Sequence, residues 1–226
     1  AAARLPIVKH VTILRGDWEG DPKAARRLIE KKLRYPVFVK PANLGSSVGI
    51  SKVKVASQLS KAVREALRYD DKVIIEKGVP AREIECAVLG DPSASDALGA
   101  RASEVGEIAP NAEFYDYKAK YLDPNGASLH IPARVPAALA KRVRALALAA
   151  VRALDGYGMS RVDFLMDRKT GAVYFNEVNT IPGFTPTSMY PLLWRASGLK
   201  TPRLMARLMA LALRRHRRRS KLKTAC

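Results

Sequence analysis

The sequence of 226 residues has few cysteines, few aromatic residues and no long apolar run. Its two cysteines, Cys86 and Cys226, are too few for a disulfide framework or a cysteine-based metal cluster. No uninterrupted apolar segment reaches the roughly 18 to 20 residues that span a bilayer. The first residues also lack the basic stretch and apolar core of a signal peptide. The sequence therefore predicts a cytoplasmic protein that is not associated with a membrane.

Acidic residues are scarce relative to basic ones, since 40 lysines and arginines against 21 aspartates and glutamates give a formal net charge of +19. Much of the excess lies in residues 214–226. A basic surface can attract nucleic acid, anionic lipid or anionic substrates, but this segment has no aromatic side chains on which bases could stack. We therefore do not expect nucleic acid as a partner, and we predict that residues 214–226 form a solvated basic tail that frays.

Strand-like and helix-like segments alternate along the chain. Asp21 precedes a first-turn proline, which is typical of a helix start, and a long amphipathic helix is predicted over residues 136–154. Two strands, over residues 161–166 and 173–178, are joined by a glycine-containing linker typical of a hairpin. Residues 103–134 follow neither period, and a loop of that length in a compact domain is usually functional. The mixture predicts an α+β or α/β fold with largely antiparallel sheets.

A lysine and a loop of small residues follow one predicted strand. Lys40 ends the strand, and Gly45, Ser46, Ser47 and Gly49 lie in the loop. Backbone N–H groups and hydroxyls of such a loop can approach phosphate oxygens, while the lysine adds a positive charge. The segment is not a Walker A motif, because no Gly-Lys-Ser/Thr opens a helix. An ordinary turn has the same composition, so the segment alone leaves both interpretations open.

Carboxylates lie at the ends of several predicted strands. Glu76 ends one strand and Glu83 follows seven residues later, where they could accept hydrogen bonds from a ribose or an adenine amino group. Solvated surface glutamates would give the same pattern. Asp163 and Glu177 lie on the two strands of the predicted hairpin, and Asn179 follows close behind. If the hairpin forms, we expect these last three side chains to converge.

The converging set favours a metal site. Carboxylate and amide oxygens are ligands that Mg²⁺ prefers, and Mg²⁺ leaves positions open for phosphate. Arg161 is near enough in sequence to neutralise charge on a transferring phosphoryl group. A salt-bridged hairpin is the alternative. We favour metal because the flanking residues are apolar, and buried carboxylates are costly without a cation.

Taken in order, these segments resemble the D-alanine–D-alanine ligase family of the ATP-grasp superfamily, from about residue 5 to about residue 213. The motifs that carry the resemblance are Val39-Lys40-Pro41 with Gly45-Ser46-Ser47-Val48-Gly49, Ile75-Glu76-Lys77, Phe114-Tyr115-Asp116-Tyr117 with Lys120-Tyr121, Arg161-Val162-Asp163, and Asn176-Glu177-Val178-Asn179-Thr180 with Pro182-Gly183. The resemblance implies an ATP-grasp fold of two α+β subdomains whose antiparallel sheets grip the nucleotide. It implies a central subdomain over residues 1–90 with an incomplete N-terminal part, a catalytic subdomain over residues 91–213, and a lid loop over residues 103–134.

The resemblance also implies roles for individual residues. ATP would be contacted by Lys40, Gly45, Ser46, Ser47, Glu76, Lys77, Val79, Glu83, Lys120, Asn176 and Glu177. Two Mg²⁺ or Mn²⁺ ions would be held by Asp163, Glu177 and Asn179. The residues implied in catalysis are Ser46, Lys120, Tyr121, Arg161, Gly183 and Ser188.

Those catalytic roles differ from residue to residue. Ser46 and Tyr121 would close the lid by a hydrogen bond, and Lys120 would reach the γ-phosphate. Arg161 and the Gly183 backbone would stabilise a tetrahedral intermediate. Ser188 would hold the carboxylate of the second substrate.

The implied reaction makes D-alanyl-D-alanine for peptidoglycan. The carboxylate of one D-alanine attacks the γ-phosphorus of ATP, and the amine of a second D-alanine then displaces phosphate from the acyl phosphate. Tyr121 resembles the dipeptide-forming members rather than those that make D-alanine–D-lactate. Family members also carry an N-terminal domain that nothing here matches. We therefore expect a truncated form that either forms a homodimer or has a partner that supplies the domain.

Two alternatives remain open beside that interpretation. One is another ATP-grasp carboxylate–amine ligase with a different substrate. The other is a nucleotide-binding remnant without turnover, which the unmatched N-terminal domain would favour.

Overall fold

The computed structural model describes residues 3–45, 47–110 and 127–223, without the side chains of Pro110 and Ala127. Within these residues the strands are β1 (His10–Leu14), β2 (Val37–Pro41), β3 (Ser51–Val53), β4 (Lys72–Lys77), β5 (Ala81–Gly90), β6 (Arg101–Pro110), β7 (Ala127–His130), β8 (Gly158–Asp167) and β9 (Val173–Asn179). The helices are α1 (Arg15–Gly20), α2 (Pro22–Lys32), α3 (Leu59–Ala66), α4 (Ala137–Ala153), α5 (Met189–Ala196) and α6 (Thr201–Arg219), with a 3₁₀ turn at Ala56–Gln58.

The described residues form two compact units, each with its own sheet. The N-terminal unit consists mainly of residues 8–80 and contains an antiparallel sheet in the order β1-β4-β2-β3. Helix α2 begins where expected, because the side chain of Asp21 accepts a hydrogen bond from the backbone N–H of Ala24 at 2.9 Å. The core of this unit forms where α2 and α3 bury apolar residues against the sheet, among them Ile29, Leu59, Val63, Val39 and Ile75.

The C-terminal unit consists mainly of residues 3–7, 81–109 and 129–223, and its sheet has the order β7-β6-β5-β8-β9. Successive residues of a strand point to opposite faces of the sheet. In β5, Cys86 and Val88 accordingly pack in the cluster that contains α4, whereas Ala87 and Leu89 pack in the cluster that contains α5 and α6. Helices on both faces explain why β5 reads as an almost continuous apolar run. The prediction of an α+β fold with antiparallel sheets is confirmed.

The expected long loop is partly a strand. Residues 103–110 belong to β6, which pairs with β5, and residues 127–130 form β7. The polar residues that concealed the strand have partners in the fold. Glu107 pairs with Arg82, and the Ser103 hydroxyl accepts a hydrogen bond from the Ala87 N–H at 2.9 Å. Glycine at position 106 interrupts the apolar pattern of the strand, because a Cβ there would lie 2.8 Å from Leu193.

The basic end of the chain is also more ordered than predicted, because α6 continues to Arg219. Arg214 pairs with Asp96 at 2.7 Å, and Arg218 pairs with the buried Asp91 at 3.0 Å. The guanidinium of Arg215 lies 4.9 Å from the centre of the Tyr157 ring. The prediction of a fraying tail from residue 214 is therefore wrong as far as Arg219.

The division into units differs from the predicted boundary between residues 90 and 91. Strand β5 pairs with β8 along its whole length, so residues 81–90 belong to the C-terminal unit. The start of the chain belongs there as well, since the Phe175 N–H donates to the Pro6 carbonyl at 2.7 Å. None of the helices in the described part of the chain combines the length and apolar character needed to cross a membrane.

Candidate functional site

The hairpin of β8 and β9 forms as the sequence predicts. The turn between the strands is closed locally, because the Asp167 carboxylate accepts hydrogen bonds from the backbone N–H groups of Lys169 at 2.7 Å and Thr170 at 2.9 Å. Gly171 has a φ of +69°, a conformation that favours glycine. The strands pair in one register from the turn to Phe164, and a bulge at Asn176 then shifts the register by one residue towards the end that carries the predicted ligands.

That register brings the predicted metal ligands together. Asp163 in β8 lies opposite Glu177 in β9, and Arg161 lies opposite Asn179. On the other side of β8, Asp163 lies opposite Glu85 of β5. Three carboxylates thus occupy one row across three adjacent strands, from the buried Glu85 to the exposed Glu177.

Arg161 neutralises much of the charge in this row. Its Nε lies 2.8 Å from Asp163 Oδ1 and its Nη2 lies 2.7 Å from Asp163 Oδ2. The same Nε lies 3.1 Å from Oε2 of Glu85. Burial alone would lower the pKa of Arg161, but the hydrogen bonds to Asp163 and the charges of Glu85 and Glu177 raise it instead. Arg161 is therefore a permanent cation at the centre of the cluster.

The donor set of this cluster fits a hard divalent cation. Two carboxylates lie on directly opposed residues, and the side chain of Asn179 touches Asp163, with Nδ2 at 2.9 Å from Oδ2. Oxygen ligands of this kind suit Mg²⁺. Both oxygens of Asp163 accept hydrogen bonds here, so a cation would share these oxygens with the N–H groups of Arg161 and Asn179 or displace some of them. Across residues 3–45, 47–110 and 127–223, no three His, Cys, Asp or Glu side chains are grouped as a metal site, so a site here would need the Asn179 amide.

Gly183 and Ser188 also lie together, in the loop that leads to α5. The Ser188 hydroxyl accepts a hydrogen bond from the Thr185 N–H at 3.0 Å and contacts the Thr185 hydroxyl at 2.7 Å. A Cβ at position 183 would lie only 2.9 Å from this hydroxyl. The absence of a side chain at Gly183 therefore allows the close approach of the Ser188 hydroxyl, and the two predicted roles stay predictions.

In the N-terminal unit, two residues predicted for different parts of a nucleotide are in contact. Lys40 and Glu76 lie on the paired strands β2 and β4, and Lys40 Nζ is 2.9 Å from Glu76 Oε2. The loop after β2 turns sharply, with the Val48 N–H donating to the Gly45 carbonyl at 3.2 Å. Ser47 has a φ of +60°. The N–H of Ile50 likewise donates to the Ser47 carbonyl at 3.3 Å, and the phosphate contact of this loop stays a prediction.

The remaining predicted residues are distributed between the two units. Lys77 ends β4 and Val79 lies between β4 and β5. Glu83 lies in β5 opposite Leu165. Asn176 lies in β9. Ser46, Lys120 and Tyr121 lie outside the described residues, and so does the lid segment at 111–126.

Glu85 was not among the site residues predicted from the sequence. The signal was present, since this carboxylate interrupts the apolar run of residues 84–89. It lies two residues from Glu83 on the same face of β5. The structure brings it against Arg161.

Comparison with known proteins agrees with this geometry. A family model described as "D-ala D-ala ligase C-terminus" matches residues 1–210. The chain belongs to this family. It is 52% identical over 211 residues to a D-alanine–D-alanine ligase of Chlorobium phaeovibrioides, covering 93% of the chain and 56% of that relative. It is 46% identical over 223 residues to one of Bacillus cytotoxicus, covering 99% of the chain and 59% of that relative.

Two solved structures are similar over nearly the whole chain. The D-alanine–D-alanine ligase from Coxiella burnetii has a TM-score of 0.78 at 35% identity, and the match covers 97% of this chain and 56% of that one. The VanG D-Ala:D-Ser ligase from Enterococcus faecalis has a TM-score of 0.80 at 37% identity, with 93% and 58% covered. The family and the ATP-grasp fold expected from the motifs are thus confirmed. The chain spans a little over half the length of the relatives that it matches.

Proposed function

We propose that the chain carries the nucleotide-binding and catalytic part of an ATP-dependent D-alanine–D-alanine ligase, acting in the cytoplasm on ATP and D-alanine. The observation that carries the proposal is the cluster of Arg161, Asp163, Glu177 and Asn179 at the paired ends of β8 and β9. Its composition suits phosphoryl transfer, which asks a protein mainly for positioning and charge neutralisation.

Asp163, Glu177 and Asn179 would hold two Mg²⁺ or Mn²⁺ ions. Such ions, when bound, neutralise charge on the phosphates of ATP. Arg161 would stabilise negative charge on the tetrahedral intermediate, for which a permanently charged guanidinium is suited. Its place is set by the strand pairing and not by a mobile loop.

Other residues would bind the substrates. Lys40 would contact phosphate oxygens, and Glu76 would accept hydrogen bonds from the adenine. Their mutual contact of 2.9 Å keeps both side chains ordered on neighbouring strands. Ser188 would hold the carboxylate of the second D-alanine through its hydroxyl, and the Gly183 backbone would stabilise the tetrahedral intermediate.

Further contacts are assigned by the family motifs. The remaining nucleotide contacts would come from Gly45, Ser47, Lys77, Val79, Glu83 and Asn176. Ser46, Lys120 and Tyr121 would close the lid over the phosphates and exclude water from the acyl phosphate. The chain would form a homodimer, or would have a partner that supplies the N-terminal domain of the family and so completes the binding of the first D-alanine.

A second candidate function differs only in the second amino acid. The similarity to a D-Ala:D-Ser ligase, at 37% identity, favours including D-serine among the substrates tested. The residue implied in binding that substrate, Ser188, would contact its carboxylate and not its side chain. It would therefore not discriminate between the two amino acids.

Phosphate release tests the proposal. The chain is incubated with ATP, Mg²⁺ and D-alanine, and in a parallel arm with D-alanine and D-serine. Glu177→Gln serves as the inactive variant. D-alanine-dependent release that disappears in the variant supports the ligase. Thermal stabilisation by ATP and Mg²⁺ without release would indicate a nucleotide-binding remnant, and neither effect would reject the function for this chain.

A further inference from the structure

A buried carboxylate lies behind the arginine of the site. Glu85 in β5 is only 4% exposed and lies directly opposite Asp163 in β8. Like charges directly opposite each other destabilise a pair of strands, and a buried carboxylate is costly unless it is paired. Arg161 offsets both costs, because its guanidinium touches Asp163 and Glu85 at once.

The two contacts of Arg161 are not equivalent. The Nε atom carries a single hydrogen, which it donates to Asp163 Oδ1 at 2.8 Å. Oε2 of Glu85 lies 3.1 Å from the same Nε, within the distance of a hydrogen bond. A small rotation of the guanidinium would redirect this hydrogen from Asp163 to Glu85.

A metal ion bound to Asp163 would compete with Arg161 for the same carboxylate. Both of its oxygens accept hydrogen bonds from Arg161, and one also accepts from Asn179. A cation ligated by Asp163 would draw on the lone pairs of those oxygens, which weakens them as acceptors, and would also repel the guanidinium. Arg161 then needs a second anion to stay in place.

We propose that Glu85 is a positioning residue that keeps Arg161 in the site when Asp163 ligates a divalent cation. The Nε–H of Arg161 then donates its hydrogen bond to Glu85 instead of Asp163, and no covalent bond changes. The identity of the cation site rests on the proposed function, whereas the capacity of Glu85 to take over this hydrogen bond does not.

The consequence for turnover is specific. Replacing Glu85 by glutamine keeps the shape but removes the anion, so Arg161 is held less firmly beside a bound cation. Substitution of outer-shell partners around a metal typically costs about 10- to 100-fold in activity. We expect a decrease of that size in kcat, with little change in KM for ATP because Glu85 is not among the proposed nucleotide contacts.

The direct test observes Arg161 itself. The Nε–Hε signal of Arg161 is recorded by NMR in a chain labelled with nitrogen-15 arginine and is assigned by its loss in Arg161→Lys. Mg²⁺ with the β,γ-imido analogue of ATP is then added. The unmodified chain should keep a shifted, slowly exchanging signal, whereas Glu85→Gln should lose it to exchange with water. An unshifted signal in the unmodified chain would overturn the inference. So would a signal that exchanges at the same rate in the unmodified chain and in Glu85→Gln.

A matched variant controls for the loss of a buried ion pair. Glu107→Gln removes the partner of Arg82 in the same sheet. In both the Arg82–Glu107 pair and the Arg161–Glu85 pair, the arginine side chain is 22% exposed and the glutamate is nearly buried. Glu107 has no proposed contact with substrate or with Arg161. Its variant should therefore show the Arg161 signal and the kcat of the unmodified chain. An Arg161 signal lost equally in Glu107→Gln would show that the effect is not specific to Glu85.

A second arm needs neither nucleotide nor turnover. In Asp163→Ala the Nε–H of Arg161 should donate its hydrogen bond to Glu85. The slowly exchanging Nε–Hε signal of Arg161 should therefore persist. It should disappear when Glu85→Gln is added. Loss of the signal in Asp163→Ala alone overturns the proposal, and if Glu85→Gln does not fold, the single variant decides. A chain that releases no phosphate yet passes this arm would reject the ligase function and keep the role of Glu85.

Discussion

The ion pair between Arg82 and Glu107 provides a quantitative prediction about the C-terminal unit. Arg82 donates from Nε and Nη2 to the two oxygens of Glu107, both at 2.6 Å, so the pair is bidentate. Glu107 is 6% exposed. We predict that Glu107→Gln lowers the free energy of unfolding by about 2 kcal/mol at neutral pH.

The magnitude follows from the surroundings of the pair. Removing one partner of a fully buried pair costs about 3–5 kcal/mol. Arg82 keeps a hydrogen bond to the Arg134 carbonyl at 2.9 Å and remains partly solvated, which offsets part of that cost. A hydrogen bond to a charged group contributes about 1.5–3 kcal/mol, and this range sets the figure. For a chain of this size the melting temperature should fall by about 4–8 °C.

The effect of Glu107→Gln should depend on pH. Hydrogen bonds from Arg82 lower the pKa of Glu107 below its ordinary value of 4.5. A group with a lowered pKa in the folded state stabilises the fold above its unfolded pKa, and this contribution is lost as the pH falls through the folded value. The difference in stability between the two proteins should therefore be full at neutral pH and shrink below 4.5.

Urea unfolding followed by circular dichroism, at neutral pH and at stepwise lower pH, measures both effects. Arg82→Lys serves as a comparison, because lysine keeps the charge but not the bidentate geometry. Equal stability of Glu107→Gln and the unmodified chain at neutral pH would refute the reasoning. So would a difference that does not shrink in acid.

Three further predictions concern a pair of glycines, the buried cysteine and the end of α6. Gly90→Ala should cost about 3 kcal/mol or more in urea unfolding, since φ is +134° and a Cβ would lie 2.5 Å from the Gly99 carbonyl oxygen. Gly171→Ala, with open space around it, should cost only about 1 kcal/mol. Burial raises the pKa of Cys86 to about 12, so a thiol reagent should modify it only after denaturation. Asp91→Asn should accelerate hydrogen exchange in the last turns of α6 while leaving α4 unchanged, and equal rates would contradict the ion-pair account of the helix end.

Local features were predictable because their causes lie close together in sequence. The β8–β9 hairpin follows from two alternating strands and from a turn that Asp167 and Gly171 close by themselves. The start of α2 follows from Asp21 and the proline after it. The convergence of Asp163 and Glu177, which was expected from the hairpin, also depends on the bulge at Asn176, which was not predicted.

Features that depend on distant partners could not be predicted. The basic end of α6 is stabilised by Asp91 and Asp96, more than one hundred residues earlier in the chain. The strand at residues 103–110 was hidden because its charged Glu107 has its partner in another strand. The contact of Lys40 with Glu76 depends on the register of β2 and β4, which neither segment specifies alone.

The fate of the carboxylate oxygen of D-alanine tests the central claim most directly. D-alanine labelled with oxygen-18 in its carboxylate is incubated with the chain, ATP and Mg²⁺, and the released phosphate is analysed by mass spectrometry. Attack of the carboxylate on the γ-phosphorus, followed by displacement by the amine, transfers a labelled oxygen to phosphate. The account predicts labelled phosphate together with D-alanyl-D-alanine, and neither with Glu177→Gln. Unlabelled phosphate would mean that water attacks ATP directly, and it would contradict the ligase mechanism for this chain.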